Sequence, residues 1–243
     1  MYDETSVLTA IDRHALLVLA LCGGALVANL TWFVLSVRAS RRDRLPSCSL
    51  LAVLVFLPHD TSYLYRYESW FADRDHWFPQ LFWVALIVMV GFELVFLRQV
   101  WRFGHAELAP FLSPGQFRAG LLVLVAVSFL VWEQVKATLD DPLYLGSFTA
   151  LIALSPVFGT SLLSRRRGPA GQSPGMWAAF AAMTALWLAG STIGMGTTVR
   201  GFLWCGSLGV AVAWGLALSA TLARLGGAGA ARADAERAPA RSA

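Results

Sequence analysis

A histidine and an aspartate interrupt a run of residues that otherwise has the composition of a membrane helix. The stretch VFLPHDTSYLYRYESWF, residues 55–71, places Pro58, His59 and Asp60 directly before a group of tyrosines. An ionisable side chain inside an apolar segment is costly there, and it usually faces a cavity or a partner. Asp60 is therefore a candidate functional group, with His59 beside it.

Three further polar residues lie inside apolar runs: Asn29, Glu93 and Glu133. Asp60 is about six residues from the end of its segment, roughly 9 Å below the membrane interface at about 1.5 Å per residue. Glu133 lies at a similar depth from the same side, so we expect the two carboxyl groups to face one cavity. Their repulsion and desolvation would keep a proton available on at least one of them. Glu93 lies nearer the opposite end of its segment, and the sequence identifies no partner for it.

Aromatic residues are abundant, with 10 Trp, 15 Phe and 5 Tyr. Trp and Tyr near helix ends are typical of the membrane interface, which accounts for most of them. Others can line a pocket, where ring faces stabilise a cation. The candidates for such a wall are Tyr63, Tyr67, Trp70 and Trp132.

The elements that must position these side chains are membrane helices. Hydrophobic residues make up 57% of the 243-residue chain and charged residues 14%, against roughly 25% charged residues in a soluble domain. A bilayer core requires about 20 apolar residues per helix, and seven such segments occur: 15–37, 48–66, 77–101, 117–139, 143–164, 176–199 and 201–224. The pattern predicts an all-α, seven-transmembrane-helix bundle in one domain, residues 1–226, followed by a disordered tail, residues 227–243.

The distribution of basic residues predicts the orientation of this bundle. Of the 19 Lys and Arg residues, 14 fall in the first, third and fifth linkers and the tail, and 5 fall on the other side. The positive-inside rule then places the N-terminus outside and the C-terminus in the cytoplasm. We expect an integral protein of a bacterial plasma membrane.

Several classes of site have no matching pattern. The three cysteines, Cys22, Cys48 and Cys205, have no metal-ligand spacing, and no zinc-protease, nucleophile-elbow or phosphate-loop motif occurs. Asp140-Asp141 is followed by Pro142, so the aspartate-rich motif of soluble terpene synthases is missing. The only lysine is Lys136, which excludes a retinal Schiff base in the last helix. We expect no metal, no cofactor and no nucleic-acid partner.

The chain resembles the small membrane-integral terpene cyclases of fungal meroterpenoid pathways (the pyripyropene type) and their bacterial relatives in drimentine-type indole sesquiterpenoid pathways. The resemblance covers nearly the whole chain and is carried by SVRASRRDR, residues 36–44, followed 16 positions later by Asp60. By spacing, His59 and Asp60 stand where the fungal enzymes have a Trp-Glu pair. A Trp-Glu pair does occur here as Trp132-Glu133. The second acidic residue that the family carries late in the chain is missing, and Glu133 is the natural substitute.

The resemblance implies a proton-initiated cyclisation without a metal or an organic cofactor. Asp60 would protonate an alkene or an epoxide of a prenyl chain, typically farnesyl, carried by an indole or another aromatic group. His59 would hydrogen-bond to the acid and tune it, and Glu133 would assist as partner or final base. The cavity would be lined by Tyr63, Tyr67, Trp70, Trp132, Glu93 and Asn29.

Two other functions compete with this hypothesis. A small proton-coupled transporter would use the intramembrane carboxylates as a proton or solute path, although no internal repeat is visible. A structural or sensory seven-helix protein would leave the buried carboxyl groups without a role. The sequence does not define the substrate head group, the prenyl length or the oligomeric state.

Overall fold

The apolar segments fold into helices joined by short loops. The computed structural model describes residues 2–195 and 201–237, and this part of the chain contains helices and no strands. The helices are α1 (Glu4–Arg13), α2 (Ala15–Asp43), α3 (Leu50–Tyr65), α4 (Trp77–Phe103), α5 (His105–Leu108), α6 (Pro114–Thr138), α7 (Leu145–Arg166), α8 (Pro174–Gly194) and α9 (Phe202–Arg237). A π-helical turn, Ser69–Asp73, lies between α3 and α4.

Serine caps define where three of the helices begin. The side chains of Ser49, Ser113 and Ser173 each accept a hydrogen bond from the backbone N–H three residues later. Such caps satisfy donors that the first turn of a helix leaves free. Pro114 and Pro174 occupy the first helical position, where the missing N–H of proline has no cost. These local signals explain why the predicted segments begin within a few residues of the observed helices.

Six helices are long and apolar enough to cross a membrane: α2, α4, α6, α7, α8 and α9. Helix α3 is also apolar but has only 16 residues. At about 1.5 Å per residue it is roughly 24 Å long, which is shorter than a hydrocarbon core of about 30 Å. The all-α class and the membrane character of the chain are therefore confirmed. The seventh span and the orientation of the termini stay predictions.

The helices pack around α8, which contacts α2 on one side and α9 on the other, while α3 packs against α4 and α6. Small residues allow the close approach of α8 to α2. A Cβ added to Gly194 would lie 2.3 Å from Val18, and one added to Gly190 would lie 3.2 Å from the sulfur of Cys22. The outer face is apolar as well; Leu130 of α6 is 72% exposed. Such a surface is suited to contact with lipid.

Two helices extend past their predicted ends. Helix α2 continues through the basic linker to Asp43, because arginine is a good helix former. The backbone of α9 stays helical to Arg237, past the start of the predicted disordered tail at residue 227. Residues 238–243 lie outside the described part of the chain, as do residues 196–200 at the end of the sixth predicted segment.

Candidate active site

His59 and Asp60 lie in the middle of α3 and are both buried in the protein. Neither side chain is open to the outside: His59 is 0% exposed and Asp60 is 3% exposed. The Nδ1 atom of His59 lies 2.6 Å from Oδ1 of Asp60. Pro58, just before them, cannot donate the helical hydrogen bond to the residue four positions earlier. The predicted association of His59 with Asp60 is therefore present as a short hydrogen bond.

Asp60 borders a cavity lined by residues of α2, α3, α4, α7 and α8. Its volume is about 360 Å³, within the range of roughly 300–1,000 Å³ that is common for small-molecule sites. Most of the side chains around it are aliphatic, aromatic or sulfur-containing. The aromatic members are Trp32, Phe33, Phe56, Trp77, Phe78, Phe82, Phe96, Phe148, Phe158, Trp177 and Trp187. This is an apolar chamber with few polar groups on its wall.

Glu93 of α4 is the partner of Asp60 across this cavity. Among the described residues that line the cavity, Asp60 and Glu93 carry the only carboxyl groups. The two carboxyl groups lie close enough to interact electrostatically. Two neighbouring carboxyl groups in an apolar site do not both ionise readily, because their charges repel each other and each loses its hydration. We therefore expect one of the two to hold a proton.

One oxygen of Glu93 has no partner within the described part of the chain. This atom, Oε2, is fully buried and accepts or donates no hydrogen bond there. An unsatisfied buried polar atom is costly in a folded protein and calls for an explanation. This atom has almost no accessible surface, so the side chain of Glu93 lines the cavity with its other atoms.

Glu133 does not lie at this cavity. Its carboxylate accepts hydrogen bonds from the hydroxyl of Tyr65 and from Nη2 of Arg66, the latter at 3.0 Å. Its side chain is 43% exposed. The expectation that Asp60 and Glu133 share a cavity is therefore wrong in its geometry, because the guanidinium of Arg66 binds Glu133 near the end of α3. Glu93 occupies the position that we expected for Glu133.

Three aromatic residues that we expected at the cavity wall, Tyr63, Tyr67 and Trp70, lie elsewhere. Tyr63 stacks on Trp70 with ring centroids 4.1 Å apart, and its hydroxyl donates to the carbonyl of Pro79. Tyr67 stacks on Phe71 and is half exposed. These contacts turn the rings toward the turn after α3 instead of the chamber.

Trp132 packs behind the acid, and Asn29 lies on the cavity wall. The ring of Trp132 is 4.9 Å from that of His59, and its Nε1 donates to Ser62 at 2.6 Å. It therefore supports His59 and does not line the chamber. Asn29 does line it, as expected, and its Nδ2 lies 3.0 Å from the sulfur of Met89.

The sequence reasoning missed the residues on the far side of His59. Its Nε2 lies 3.1 Å from Oγ of Ser147, which donates to Oδ2 of Asp141 at 2.7 Å. The hydroxyl of Tyr2 donates to Oδ1 of Asp141, also at 2.7 Å. In the sequence, Asp140-Asp141 matches no metal-binding motif, and nothing in the local pattern connects Asp141 with His59. Only the packing of α7 beside α3 brings these groups together.

No group of His, Cys, Asp and Glu side chains within the described residues is arranged to hold a metal ion. The site itself presents two carboxyl groups beside an apolar chamber, one of them hydrogen-bonded to a buried histidine. Comparison of the chain with protein-family models, curated proteins and solved structures finds no significant match.

Proposed function

We propose that this protein is a membrane-bound terpene cyclase that protonates a prenyl chain and closes its rings through carbocations. One observation carries the proposal: the only carboxyl groups on the described wall of an apolar chamber are two neighbouring ones, Asp60 and Glu93. A protonated acid in contact with an apolar substrate is the requirement for adding a proton to an alkene or an epoxide.

Asp60 is the proton donor in this proposal. The hydrogen bond from His59 to Oδ1 stabilises the carboxylate that remains after the proton has left. The O–H bond of the acid breaks, a C–H bond forms at the terminal alkene, and the positive charge moves into the chain. After ring closure a carboxylate of the pair removes a proton, so an alkene substrate and its product are isomers.

The chamber supports the carbocation steps. Faces of Phe and Trp rings attract cations electrostatically, and the rings of Phe82, Phe148 and Trp187 lie together on its wall. A dry site also protects a cation from capture by water. Asn29 on the cavity wall offers a contact for a polar part of the substrate.

The membrane setting suits a prenylated substrate, which partitions into lipid. We propose that α3 acts as the seventh span beside the six longer helices, and that the N-terminus faces outward, as the basic linkers indicate. An indole or another aromatic group carrying a farnesyl chain is the substrate class that the resemblance to terpene cyclases supports. The bacterial plasma membrane is the proposed location.

The test is conversion of a farnesylated indole by membranes that contain the protein. Wild-type membranes are expected to form an isomer of equal mass with a different chromatographic retention. Asp60→Asn is expected to lower the rate by about 10²- to 10⁴-fold, the usual contribution of a general acid. Asp73→Asn makes the same chemical change at an exposed aspartate and is expected to leave the rate unchanged.

Full turnover by Asp60→Asn, at wild-type protein levels in the membrane, would refute the acid assignment. Uptake of the compound into proteoliposomes driven by a pH gradient, without an isomer, would instead favour the proton-coupled transporter.

A further inference from the structure

A continuous row of hydrogen-bonding groups leads from Asp60 to the loop between α6 and α7. From Asp60 it passes through His59 at 2.6 Å, Ser147 at 3.1 Å and Asp141 at 2.7 Å. Each member can both give and accept a proton. Asp141 lies between the end of α6 and the start of α7, so the row joins the acid in the bundle to a loop at its end.

Two arrangements of hydrogen atoms satisfy the same heavy-atom positions. In the first, Asp141 is protonated and donates to Ser147, Ser147 donates to Nε2 of His59, and Nδ1–H donates to the Asp60 carboxylate. In the second, Asp60 donates to Nδ1, Nε2–H donates to Ser147, and Ser147 donates to the Asp141 carboxylate. Conversion of the first arrangement into the second takes three proton transfers, from Asp141 to Ser147, from Ser147 to His59 and from His59 to Asp60. Each transfer breaks one bond to hydrogen and forms another. The net result of the conversion moves one proton from Asp141 to Asp60.

Aromatic rings surround the imidazole of His59, so its polar contacts are the two neighbours in this row, Asp60 and Ser147. The imidazole is packed between the rings of Trp132, Tyr144 and Phe148, whose centroids lie 4.9 to 6.3 Å away. His59 and Asp60 have almost no exposed surface. On its cavity side Asp60 faces Glu93 and apolar side chains. Protons from water can therefore reach Asp60 by two routes, through the chamber or along the row of hydrogen-bonding groups.

Asp141 is suited to be the outer member of the row. It is buried, but it directly follows Asp140, whose side chain is exposed. Burial raises the pKa of Asp141, but hydrogen bonds from the backbone of Ser147, from Tyr2 and from the Ser147 hydroxyl outweigh it and lower the pKa overall. An ionised Asp141 accepts the single hydrogen of Ser147, as the second arrangement requires.

We infer that His59, Ser147 and Asp141 form a proton relay that exchanges protons between the Asp60–Glu93 pair and water at the α6–α7 loop. Ser147 and Asp141 act through His59 and do not touch the substrate, so they are positioning and relay residues. The inference rests on the proposed cyclase and deepens it: ring closure returns one proton to the pair, and the relay brings the protonation state of the pair back to equilibrium with water between turnovers. It also allows the chamber to stay dry during the reaction.

The experiment measures hydrogen exchange at the acid pair without any substrate. Purified protein in lipid nanodiscs is transferred to D₂O, and infrared spectroscopy follows the shift of the protonated carboxyl band, assigned by its loss in Asp60→Asn or Glu93→Gln. Ser147→Ala is expected to slow the exchange by roughly tenfold or more, corresponding to about 1.4 kcal/mol of added barrier. Ser147→Thr, which keeps the hydroxyl, is expected to exchange at the wild-type rate.

Two further variants distinguish loss of the relay from a general change in the structure of the protein. Ser40→Ala removes a buried hydroxyl of α2 that has no partner in the described part of the chain, and it is expected to exchange like wild type. Asp141→Asn leaves Ser147 in place and is expected to slow the exchange as Ser147→Ala does.

The outcomes divide clearly. Exchange at the wild-type rate in Ser147→Ala would overturn the relay, since protons would then enter through the chamber. Slow exchange in Ser147→Ala together with wild-type exchange in Asp141→Asn would show that Asp141 is not part of the relay. Absence of a protonated carboxyl band from the wild-type protein would also overturn the relay. Because no substrate is used, these results stand apart from the cyclase test, which can fail while the relay holds.

Discussion

At the scale of single residues, the acid pair has to remain inside an apolar bundle. An unpaired charge in such surroundings costs several kcal/mol, and the proximity of Asp60 to Glu93 favours a proton on one of the two carboxyl groups. His59 provides a second partner for Asp60. Glu133 solves the same problem differently, since its carboxylate is partly exposed and paired with Arg66. The apolar chamber favours a protonated carboxyl group, and the partly exposed site of Glu133 stabilises a charged one.

This difference predicts which glutamate takes part in the chemistry. Glu93→Gln removes the second carboxyl group from the chamber and is expected to lower the cyclisation rate by about 10²-fold, the low end for a group involved in proton transfer. Glu133→Gln removes an ion pair at the surface, which is worth only about 0–1 kcal/mol, and is expected to keep nearly the full rate. The measurement is initial rate per amount of folded protein in the membrane. A large loss in Glu133→Gln with an active Glu93→Gln would restore the sequence-based assignment.

At the scale of the helices, the chamber depends on how closely α7 and α8 approach each other. Gly159 of α7 lies against the ring of Trp177 of α8, and a Cβ at this glycine would lie only 2.0 Å from the ring. The ring cannot turn away easily, because its Nε1 donates to Gln172 at 2.7 Å. Both Gly159 and Trp177 line the chamber. The contact therefore sets one wall of the site as well as the helix packing.

Gly159→Ala is expected to destabilise the protein by overpacking, at a cost of about 1–3 kcal/mol. Thermal unfolding in detergent measures this as a lower midpoint temperature, by about 2–4 °C for each kcal/mol in a chain of this size. Gly120→Ala provides the control on α6, since a Cβ there meets nothing within 4 Å. It is expected to be neutral or to stabilise the helix by about 0.5–1 kcal/mol. Equal midpoints for the two variants would contradict the predicted role of the α7–α8 contact.

At the scale of the whole molecule, the arrangement of charge and apolar surface defines how the bundle sits in a membrane. Contacts between linkers gather them at one end, where Arg166 binds Glu107 and the backbone N–H of Gly171 donates to Asp43. The loop that carries Asp141 lies at the other end. If the positive-inside rule holds, the basic end faces the cytoplasm and the relay opens to the outside.

Labelling of single cysteines tests this orientation. In a chain whose native cysteines, Cys22, Cys48 and Cys205, are replaced by alanine, Asp73→Cys and Pro169→Cys each place a thiol at an exposed loop position. An impermeant maleimide added to intact cells is expected to label position 73, and to label position 169 only after the membrane is permeabilised. The reverse pattern would invert the proposed topology.

Much of the architecture follows from local features of the sequence. Apolar runs of the required length specify the membrane helices, because backbone polar groups in lipid must be satisfied within a helix. Serine caps and prolines specify where several of them begin. His59 and Asp60 stand out for a similarly local reason, since a polar pair in an apolar run is visible without knowledge of any neighbour. Asn29 and Glu93 were found by the same criterion.

The tertiary structure alone decided which of these residues meet. Asp60 and Glu93 lie on different helices, and their contact depends on how α3 and α4 pack and rotate, which no local pattern records. Depth counted along one helix suggested Glu133 instead, because counting gives the level of a residue but not the direction of its side chain. Contacts between residues distant in the chain bring Ser147, Asp141 and Tyr2 to the site. The sequence by itself determined that the protein places acids among apolar helices, and the packing decided which acids lie side by side and which groups connect them to the α6–α7 loop.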